Sequence, residues 1–455
     1  MLETAWKKYS DEKLKEVMEF VQGYKKFLAD AKTEREFTEN AIIAAKKKGF
    51  RPFNKNEKLK AGDKVYFNNR GKNVALFVIG KKPVEEGLNI LGAHIDSPRI
   101  DIKMNPLYED NGLVLMDTHY YGGIKKYQWV AIPLSLHGVI CKKDGSSVKI
   151  NIGEKDEDPV LGISDLLIHL AKDQMQKTAA SVIDGEDLNA LVGSIPSDSD
   201  SKETVKENIL NILKKEYGIE ESDFISAELE LVPAGKPRDF GLDRSMVMAY
   251  GQDDRACAYT SLMGILDSEV TDKTVSCILV DKEEVGSNGT TGAHSSFFEN
   301  CVAEILEATD GNSDLKLRHA LENSSLISSD VSMAYDPNYP NVFENKNTAF
   351  FGKGISFNKF TGSRGKSGAN DASAEYVAKI RKVMDDNNVS CQFSELGKVD
   401  QGGGGTIAYI LANKNMNVID AGIPVQNMHA PFETASKADI YEAYQAYKAF
   451  LKDMD

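Results

Sequence analysis

Two carboxylates stand side by side in the stretch SCILVDKEEVGSNG, residues 276–289. Glu283 and Glu284 follow a short apolar run and precede a glycine, which predicts an acidic pair at the end of a buried strand. Neighbouring side chains on an extended segment point in opposite directions. One carboxylate could therefore bind a metal ion while the other acts as a general base toward water. A solvated acidic turn is the alternative explanation.

Other acidic and imidazole side chains occupy comparable positions. His94 and Asp96 follow the apolar run of ILGAHIDSP, and a carboxylate behind a histidine fixes the ring tautomer at a metal site. Asp253 begins the predicted helix of GQDDRACAY, where helix capping is the alternative role. Asp330 ends SSLISSD, and His429 precedes the last predicted helix. Taken singly, each of these residues is more often structural than functional.

Taken together, these side chains supply two imidazoles and several carboxylates. Most of them are predicted at the carboxyl ends of strands or at adjoining helix starts, where open α/β sheets form their ligand crevice. Nitrogen and oxygen donors of this kind suit zinc, manganese or cobalt rather than copper or an iron–sulfur cluster. The sequence therefore predicts a metal site that can activate water.

The elements that must position these residues follow an interrupted α/β pattern. The sequence is helical in period at its start, strand-like from about residue 100, and alternates between helix and strand beyond about Met246. Within the strand-rich part, SDLLIHLAKDQM predicts a helix. We therefore predict an α/β catalytic domain formed by residues 1–99 and 246–455, interrupted by an inserted β-rich domain at residues 100–245.

Composition limits the partners of this 455-residue chain. Its formal charge of −14 argues against nucleic acid or an anionic membrane as a partner. No apolar stretch approaches the roughly 18 residues of a membrane span, and the N-terminal residues form an amphipathic pattern rather than a signal peptide. The five cysteines are dispersed and odd in number, which favours reduced thiols. We therefore expect a cytoplasmic protein.

Five separated motifs resemble, in order, those of the aspartyl aminopeptidase family of di-zinc aminopeptidases. They are GAHIDSPR, GQDDRACAY, DKEEVGS, SSDVSMAYDPNYP and MHAPFETAS, and they extend from about His94 to about Ser436. The resemblance implies a di-zinc exopeptidase-like α/β fold with an inserted dimerisation domain. It also implies a metal-dependent aminopeptidase that removes N-terminal residues from short peptides, using two zinc ions per subunit, with manganese or cobalt as alternatives.

The resemblance also implies a role for each site residue. Glu283 would be the general base, and Asp96 would support the first histidine. The peptide bond between Asp253 and Asp254 would be cis. The implied metal ligands, with Asp253 bridging both ions, are His94, Asp253, Glu284, Asp330 and His429.

Two further implications concern assembly and specificity. Relatives contribute a histidine across a subunit interface, and His169 in DLLIHLAKDQ is the matching position; helix packing and a third metal imidazole are the alternatives. The implied assembly is a homo-oligomer, such as a dodecamer built from dimers. Members that prefer acidic N-termini hold a lysine in the strand after Asp330, where this chain has Ser356, so the sequence does not support a strict preference for Asp or Glu.

Two other functions compete with the aminopeptidase hypothesis. A di-metal carboxypeptidase or deacylase could use the same core, but it would need an arginine for a substrate carboxylate, and none is identified. A catalytically silent oligomeric scaffold would be favoured by loss of Glu283 or of a predicted ligand. Every one of those residues is present.

Overall fold

The computed structural model describes residues 3–311 and 313–455, which form two compact units. The first unit comprises residues 3–97, Pro237–Met428 and Glu433–Asp455. The second comprises Pro98–Lys236 together with His429–Phe432. Within the described residues, no helix is both long and apolar enough to cross a membrane.

Helices and strands alternate along most of the first unit, and they are numbered here along the chain through both units. The helices are α1 (Asp11–Ala29), α2 (Glu34–Lys47), α3 (Thr204–Tyr217), α4 (Gln252–Leu266), α5 (Phe297–Thr309), α6 (Asp314–Glu322), α7 (Ala374–Asp386), α8 (Ala408–Ala412) and α9 (Lys437–Asp453). The strands are β1 (Arg51–Pro52), β2 (Lys64–Asn69), β3 (Asn73–Val78), β4 (Leu88–His94), β5 (Arg99–Asp110), β6 (Leu113–Tyr121), β7 (Leu134–Cys141), β8 (Ser147–Ile152), β9 (Gly162–Ile163), β10 (Ala190–Gly193), β11 (Ala227–Pro233), β12 (Arg238–Phe240), β13 (Met246–Ala249), β14 (Thr274–Val280), β15 (Ser325–Ser328), β16 (Ser332–Met333), β17 (Ile355–Asn358), β18 (Cys391–Phe393), β19 (Asn417–Gly422), β20 (Pro424–Gln426) and β21 (Glu433–Ser436).

A mixed sheet forms the centre of the first unit. Its strands follow the order β1-β2-β3-β14-β4-β15-β19-β17-β18, and β14, β4, β15 and β19 run parallel to one another. Both faces are buried, which explains the nearly continuous apolar runs of these strands. On β4, Leu91 packs into the core that contains Leu262 of α4, whereas Ile90 packs into the core that contains Ile305 of α5. The predicted α/β class is confirmed.

A smaller sheet of the same unit leads into α4. Its strand order is β12-β13-β21-β20-β16. Strand β13 pairs antiparallel with β21, and the chain turns at Tyr250 and Gly251 before α4 begins at Gln252. This turn places the two aspartates of GQDDRACAY at the start of a buried helix.

The second unit is built on an antiparallel sheet with the strand order β8-β7-β11-β5-β6-β10-β9. Strands β7 and β8 form a hairpin whose turn contains Asp144 and Gly145, a residue pair that favours such turns.

The prediction of a helix around SDLLIHLAKDQM is wrong. Residues 164–173 form irregular backbone and turns that lead into a short 3-10 helix, Gln174–Gln176. Most of their apolar side chains are not buried within the described chain, since Leu166, Leu167 and Ile168 are 46–67% exposed. A short helix needs tertiary packing of its apolar face to be stable. Instead, Asp165 accepts hydrogen bonds from the Leu166 amide and the Gln174 side chain.

Candidate metal centre

The carboxyl ends of parallel strands meet at one edge of the mixed sheet. The candidate site residues lie at or just beyond these strand ends. His94 is the last residue of β4, and Asp330 lies two residues beyond β15. Glu283 and Glu284 lie in a 3-10 helix, Glu283–Val285, that begins shortly after β14. Because β14, β4 and β15 are adjacent, side chains far apart in sequence become neighbours.

Two groups of side chains at this edge can each offer three ligand atoms that lie within 4.8 Å of one another. One group is His94, Asp253 and Glu284, and the other is His94, Asp254 and Asp330. Each combines one imidazole with two carboxylates, a donor set that zinc accepts. We call these the two donor groups.

His94 is oriented by its neighbours on both ring nitrogens. Nδ1 lies 3.0 Å from the Asp96 carbonyl oxygen and 3.3 Å from Asp96 Oδ1, while Nε2 lies 3.3 Å from Asp253 Oδ1. Burial alone lowers the pKa of this imidazole, but the contacts with Asp253 and Asp96 raise it well above its usual range. The Nε2 atom therefore faces the carboxylates of the donor groups.

Asp96 connects this histidine to the acidic pair. Its Oδ1 accepts a hydrogen bond of 3.1 Å from the Glu283 amide, and its Oδ2 accepts one of 3.2 Å from the Glu284 amide. Glu283 Oε2 lies 3.9 Å from His94 Nε2. One buried carboxylate thus fixes the positions of the histidine and both glutamates, as expected of a group behind a metal ligand.

Asp254 is a site residue that the sequence analysis did not select. Its side chain is fully buried, and Oδ2 accepts a hydrogen bond of 3.2 Å from the His94 amide. An Asp-Asp pair at a helix start is readily explained by capping, so the pattern gave no reason to assign a separate role to the second aspartate. The adjacency of the two aspartates was the available signal, because neighbouring carboxylates in a buried site need a compensating positive charge.

The electrostatics of the second donor group indicate such a compensating charge. Burial raises the pKa of both Asp254 and Asp330 well above the usual range of a carboxyl group, and the charge of Asp254 raises the pKa of Asp330 further. A divalent cation between these oxygens would relieve both the burial cost and the repulsion. The residues present therefore fit a metal ion.

The start of α4 is held by contacts on both sides of Asp253. Its amide donates to Glu433 Oε2 at 3.0 Å, and its carbonyl oxygen accepts from the Ser97 hydroxyl at 2.8 Å. The Asp253–Asp254 peptide bond is cis, as the resemblance predicts. Gly251, two residues earlier, has a φ of 63°, and a Cβ there would lie 2.7 Å from Ser97 Oγ.

Two predicted histidines do not belong to the donor groups found among the described residues. His429 lies in the second unit, with Nδ1 2.7 Å from the Gly123 carbonyl oxygen. His169 also lies in the second unit, on an exposed turn rather than in a helix. Their roles stay predictions.

Comparison with known proteins identifies the family of the chain. Residues 27–451 match the family model of Peptidase M18, described as aminopeptidase I zinc metalloprotease. A probable M18 family aminopeptidase 1 of Clostridium acetobutylicum is 59% identical over 454 residues, covering 99% of this chain and 98% of that protein. The crystal structure of an M18 family aminopeptidase from Thermotoga maritima is 44% identical, with a TM-score of 0.96 and 99% coverage of both chains. The mApe1 dodecamer of S. cerevisiae shares the fold at 21% identity, with a TM-score of 0.77 over 96% of this chain and 97% of that one.

A mixed sheet whose parallel central strands end at an edge with a histidine and several buried carboxylates is typical of a metal-dependent hydrolase. The chain belongs to the peptidase M18 family and is a zinc metalloaminopeptidase. The family, the fold class and the aminopeptidase activity predicted from the sequence are confirmed. The deacylase and scaffold alternatives are therefore set aside.

Proposed function

We propose that the first unit binds zinc through the donor groups and uses Glu283 to hydrolyse the N-terminal peptide bond of short peptides. The observation that carries the proposal is that His94, Asp253 and Glu284 can offer three ligand atoms within 4.8 Å, with a second acidic side chain, Glu283, beside them. The proposed ligands in this unit are His94, Asp253, Glu284 and Asp330. Two zinc ions per chain are proposed, with His429 as the further ligand that the resemblance implies.

Each residue has a separate task in the proposed reaction. Zinc, when bound, supplies positive charge that polarises the scissile carbonyl and lowers the pKa of water. The Glu283 carboxylate takes a proton from the attacking water and passes it to the leaving amine. Its side chain is 16% exposed, so it can reach both the site and the substrate. Asp96 holds the backbone of Glu283 and the ring of His94 in place during this transfer.

Selection of a free N-terminus would come from the α-amine meeting a zinc ion or an acidic side chain. A neutral amine can offer its lone pair to zinc, and a protonated amine is favoured beside a carboxylate. An acetylated N-terminus can do neither, so we expect blocked peptides to be excluded.

The test compares matched substrates on the zinc-reconstituted protein. Aminoacyl nitroanilides and dipeptides with free N-termini are assayed beside their N-acetylated forms, before and after chelation of the metal. We expect hydrolysis of the free forms only, with loss on chelation and recovery on adding zinc. Release of C-terminal residues from blocked peptides would favour a carboxypeptidase, and activity that survives metal removal would contradict the proposal. Recovery with manganese or cobalt but not zinc would contradict the metal assignment.

We also propose that the chain works as a homo-oligomer. The supporting observation is the exposed apolar segment of the second unit, which contains Leu166, Leu167, Ile168, Leu170 and Met175. Consecutive exposed apolar side chains of this kind mark interaction sites. His169 lies within the segment, which fits its predicted contribution to a neighbouring subunit. A dodecamer built from dimers is the proposed assembly.

A further inference from the structure

A second carboxylate fastens the loop that carries the two glutamates, in addition to Asp96. Asp281 is the first residue after β14 and is only 1% exposed. Its Oδ2 accepts a hydrogen bond of 2.7 Å from the Thr291 hydroxyl, and its amide donates to the Thr291 carbonyl oxygen at 3.2 Å. Lys282 follows with a φ of 70°, after which the 3-10 helix of Glu283 begins. The position of Glu283 therefore depends on how Asp281 is held.

Asp281 shares a buried ammonium group with a residue from a distant part of the chain. Lys72, in the turn between β2 and β3, places Nζ 3.9 Å from Asp281 Oδ2 and 3.2 Å from Glu34 Oε1. The Glu34 carboxylate is also 1% exposed, and the Lys72 side chain is 12% exposed. One partly buried lysine thus lies between two buried carboxylates.

The charges in this cluster affect each other and the group behind the metal centre. Burial raises the pKa of Asp281, and the charges of Glu34 and Asp96 raise it further, whereas Lys72 lowers it. Lys282 Nζ lies 3.8 Å from the same Asp281 oxygen, but its side chain is 31% exposed, so solvent screens that pair more. Removing Lys72 takes away the more buried of the two ammonium groups near Asp281 and the one near Glu34, which is unfavourable for both buried carboxylates. Loss of the Lys72 ammonium group would push Asp281 away from Glu34 and Asp96 or favour its protonated form.

We propose that Lys72 is a positioning residue for the peptidase reaction, acting through Asp281 on the loop that carries Glu283 and Glu284. The inference rests on the proposed role of this loop in catalysis. Lys72 reaches the loop through Asp281 and is itself not a member of the donor groups. Its effect is to hold the first residue of the loop, so that both glutamate amides stay within reach of the Asp96 carboxylate.

The test compares Lys72→Met, which removes the charge, with Lys72→Arg, which keeps it. Small displacements of a catalytic group cost up to about 100-fold in rate. We expect Lys72→Met to lower kcat about 10- to 100-fold with KM changed less than about 3-fold, and Lys72→Arg to recover most of the loss. In the metal-free protein, we expect residues 281–289 to exchange amide hydrogens faster in Lys72→Met than in the wild type.

Lys25 provides a matched control for loss of a partly buried, ion-paired lysine. Its side chain is 14% exposed and its Nζ lies 2.6 Å from Asp239 Oδ1. Lys25→Met should lower the thermal midpoint without changing kcat or the exchange of residues 281–289. An equal fall of kcat in both lysine-to-methionine variants would overturn the inference, because stability alone would then explain it.

A double variant keeps the inference testable if Lys72→Met folds poorly. Lys72→Met combined with Asp281→Asn leaves no unbalanced charge at Asp281, while the asparagine oxygen can still accept from Thr291. We expect the double variant to be more stable and faster than Lys72→Met alone, a coupling that a double-mutant cycle measures. A double variant no better than the single one, or wild-type kcat and exchange in Lys72→Met, would overturn the inference. An inactive zinc-loaded wild type would instead contradict the proposed function, because the exchange comparison on metal-free protein stands apart from activity.

Discussion

Asp96 is the residue on which most of the geometry at the metal centre depends. It accepts hydrogen bonds from the Glu283 and Glu284 amides and contacts His94 Nδ1. An asparagine would present an NH₂ group at a position where a carboxylate oxygen now accepts a hydrogen bond from a backbone amide. We therefore predict that Asp96→Asn weakens zinc binding by about 10- to 100-fold, as loss of a carboxylate behind a metal ligand generally does.

Competition with a chromophoric chelator measures this zinc affinity. Asp101→Asn serves as the control, because Asp101 lies in the second unit, accepts a hydrogen bond from Arg99 and is not a member of the donor groups. Equal zinc affinity of the wild type and Asp96→Asn would show that Asp96 does not support the metal ligands.

The resemblance implies that the position of Ser356 bears on the side chain that the enzyme prefers. It is fully buried, and its Oγ lies 2.7 Å from Ser394 Oγ, with Ser332 and Asn358 close to the same hydroxyl. This cluster is neutral, and a buried substrate carboxylate needs a positive partner. We predict that kcat/KM for an N-terminal Asp is no higher than for the nearly isosteric Asn. A preference for Asp above about 10-fold would mean that another cation recognises the substrate, because neutral hydroxyls do not supply such discrimination.

Most of the individual site residues could be predicted from the sequence. His94, Glu283, Glu284 and Asp330 could be selected because each follows an apolar run, and parallel strands end at a common edge. Asp254 could not be selected, because its helix-start position already has an ordinary explanation. Lys72 gave no signal at all, because a lysine in a hairpin turn is normally solvated, and only the fold places this one beside two buried carboxylates.

Among the elements, α9 carries a buried carboxylate whose protonation affects stability. Asp439 accepts hydrogen bonds from the Gly352 amide at 2.8 Å and the Gly354 amide at 2.7 Å. Burial nevertheless raises its pKa from 3.8 to about 8. Between these values the folded protein keeps a proton that the unfolded chain releases, so this group makes stability fall as pH rises.

We predict that Asp439→Asn flattens the fall of the thermal midpoint between about pH 5 and pH 8. Asp420→Asn is the matched control: burial raises the pKa of Asp420 only to about 6, so its contribution should end near that pH. Thermal unfolding at closely spaced pH values distinguishes the two variants. Identical slopes for the wild type and Asp439→Asn would show that Asp439 is charged in the folded protein.

The element that the sequence predicted wrongly is also informative. The segment 164–175 is rich in apolar residues, but its large ones, Leu166, Leu167, Ile168, Leu170 and Met175, stay exposed in the described chain. Helix formation in short segments depends on tertiary packing of an apolar face. The strands β4, β14 and β15 were predicted correctly because burial on both faces leaves a continuous apolar run.

For the whole molecule, the same segment predicts how copies associate. Ile168 and Leu170 are 67% and 68% exposed, and burying such side chains against a second copy contributes on the order of 1.5–3 kcal/mol each. We predict that Ile168→Asp with Leu170→Asp shifts sedimentation toward smaller species. Leu113→Asp, at an exposed leucine elsewhere in the second unit, should leave the assembly unchanged. A double variant that sediments like the wild type would place the interface elsewhere.

The division of tasks between Glu283 and Glu284 can be tested with the variant Glu283→Gln. Zinc content and peptidase activity are determined on the same sample. Glutamine keeps the size of the side chain but cannot take a proton from water. We predict zinc content equal to that of the wild type, with kcat reduced by at least about 100-fold, within the range typical of a lost general base. Wild-type activity in a zinc-loaded Glu283→Gln protein would contradict it, as would a loss of zinc that matches the loss of activity, because Glu283 would then be a ligand rather than the base.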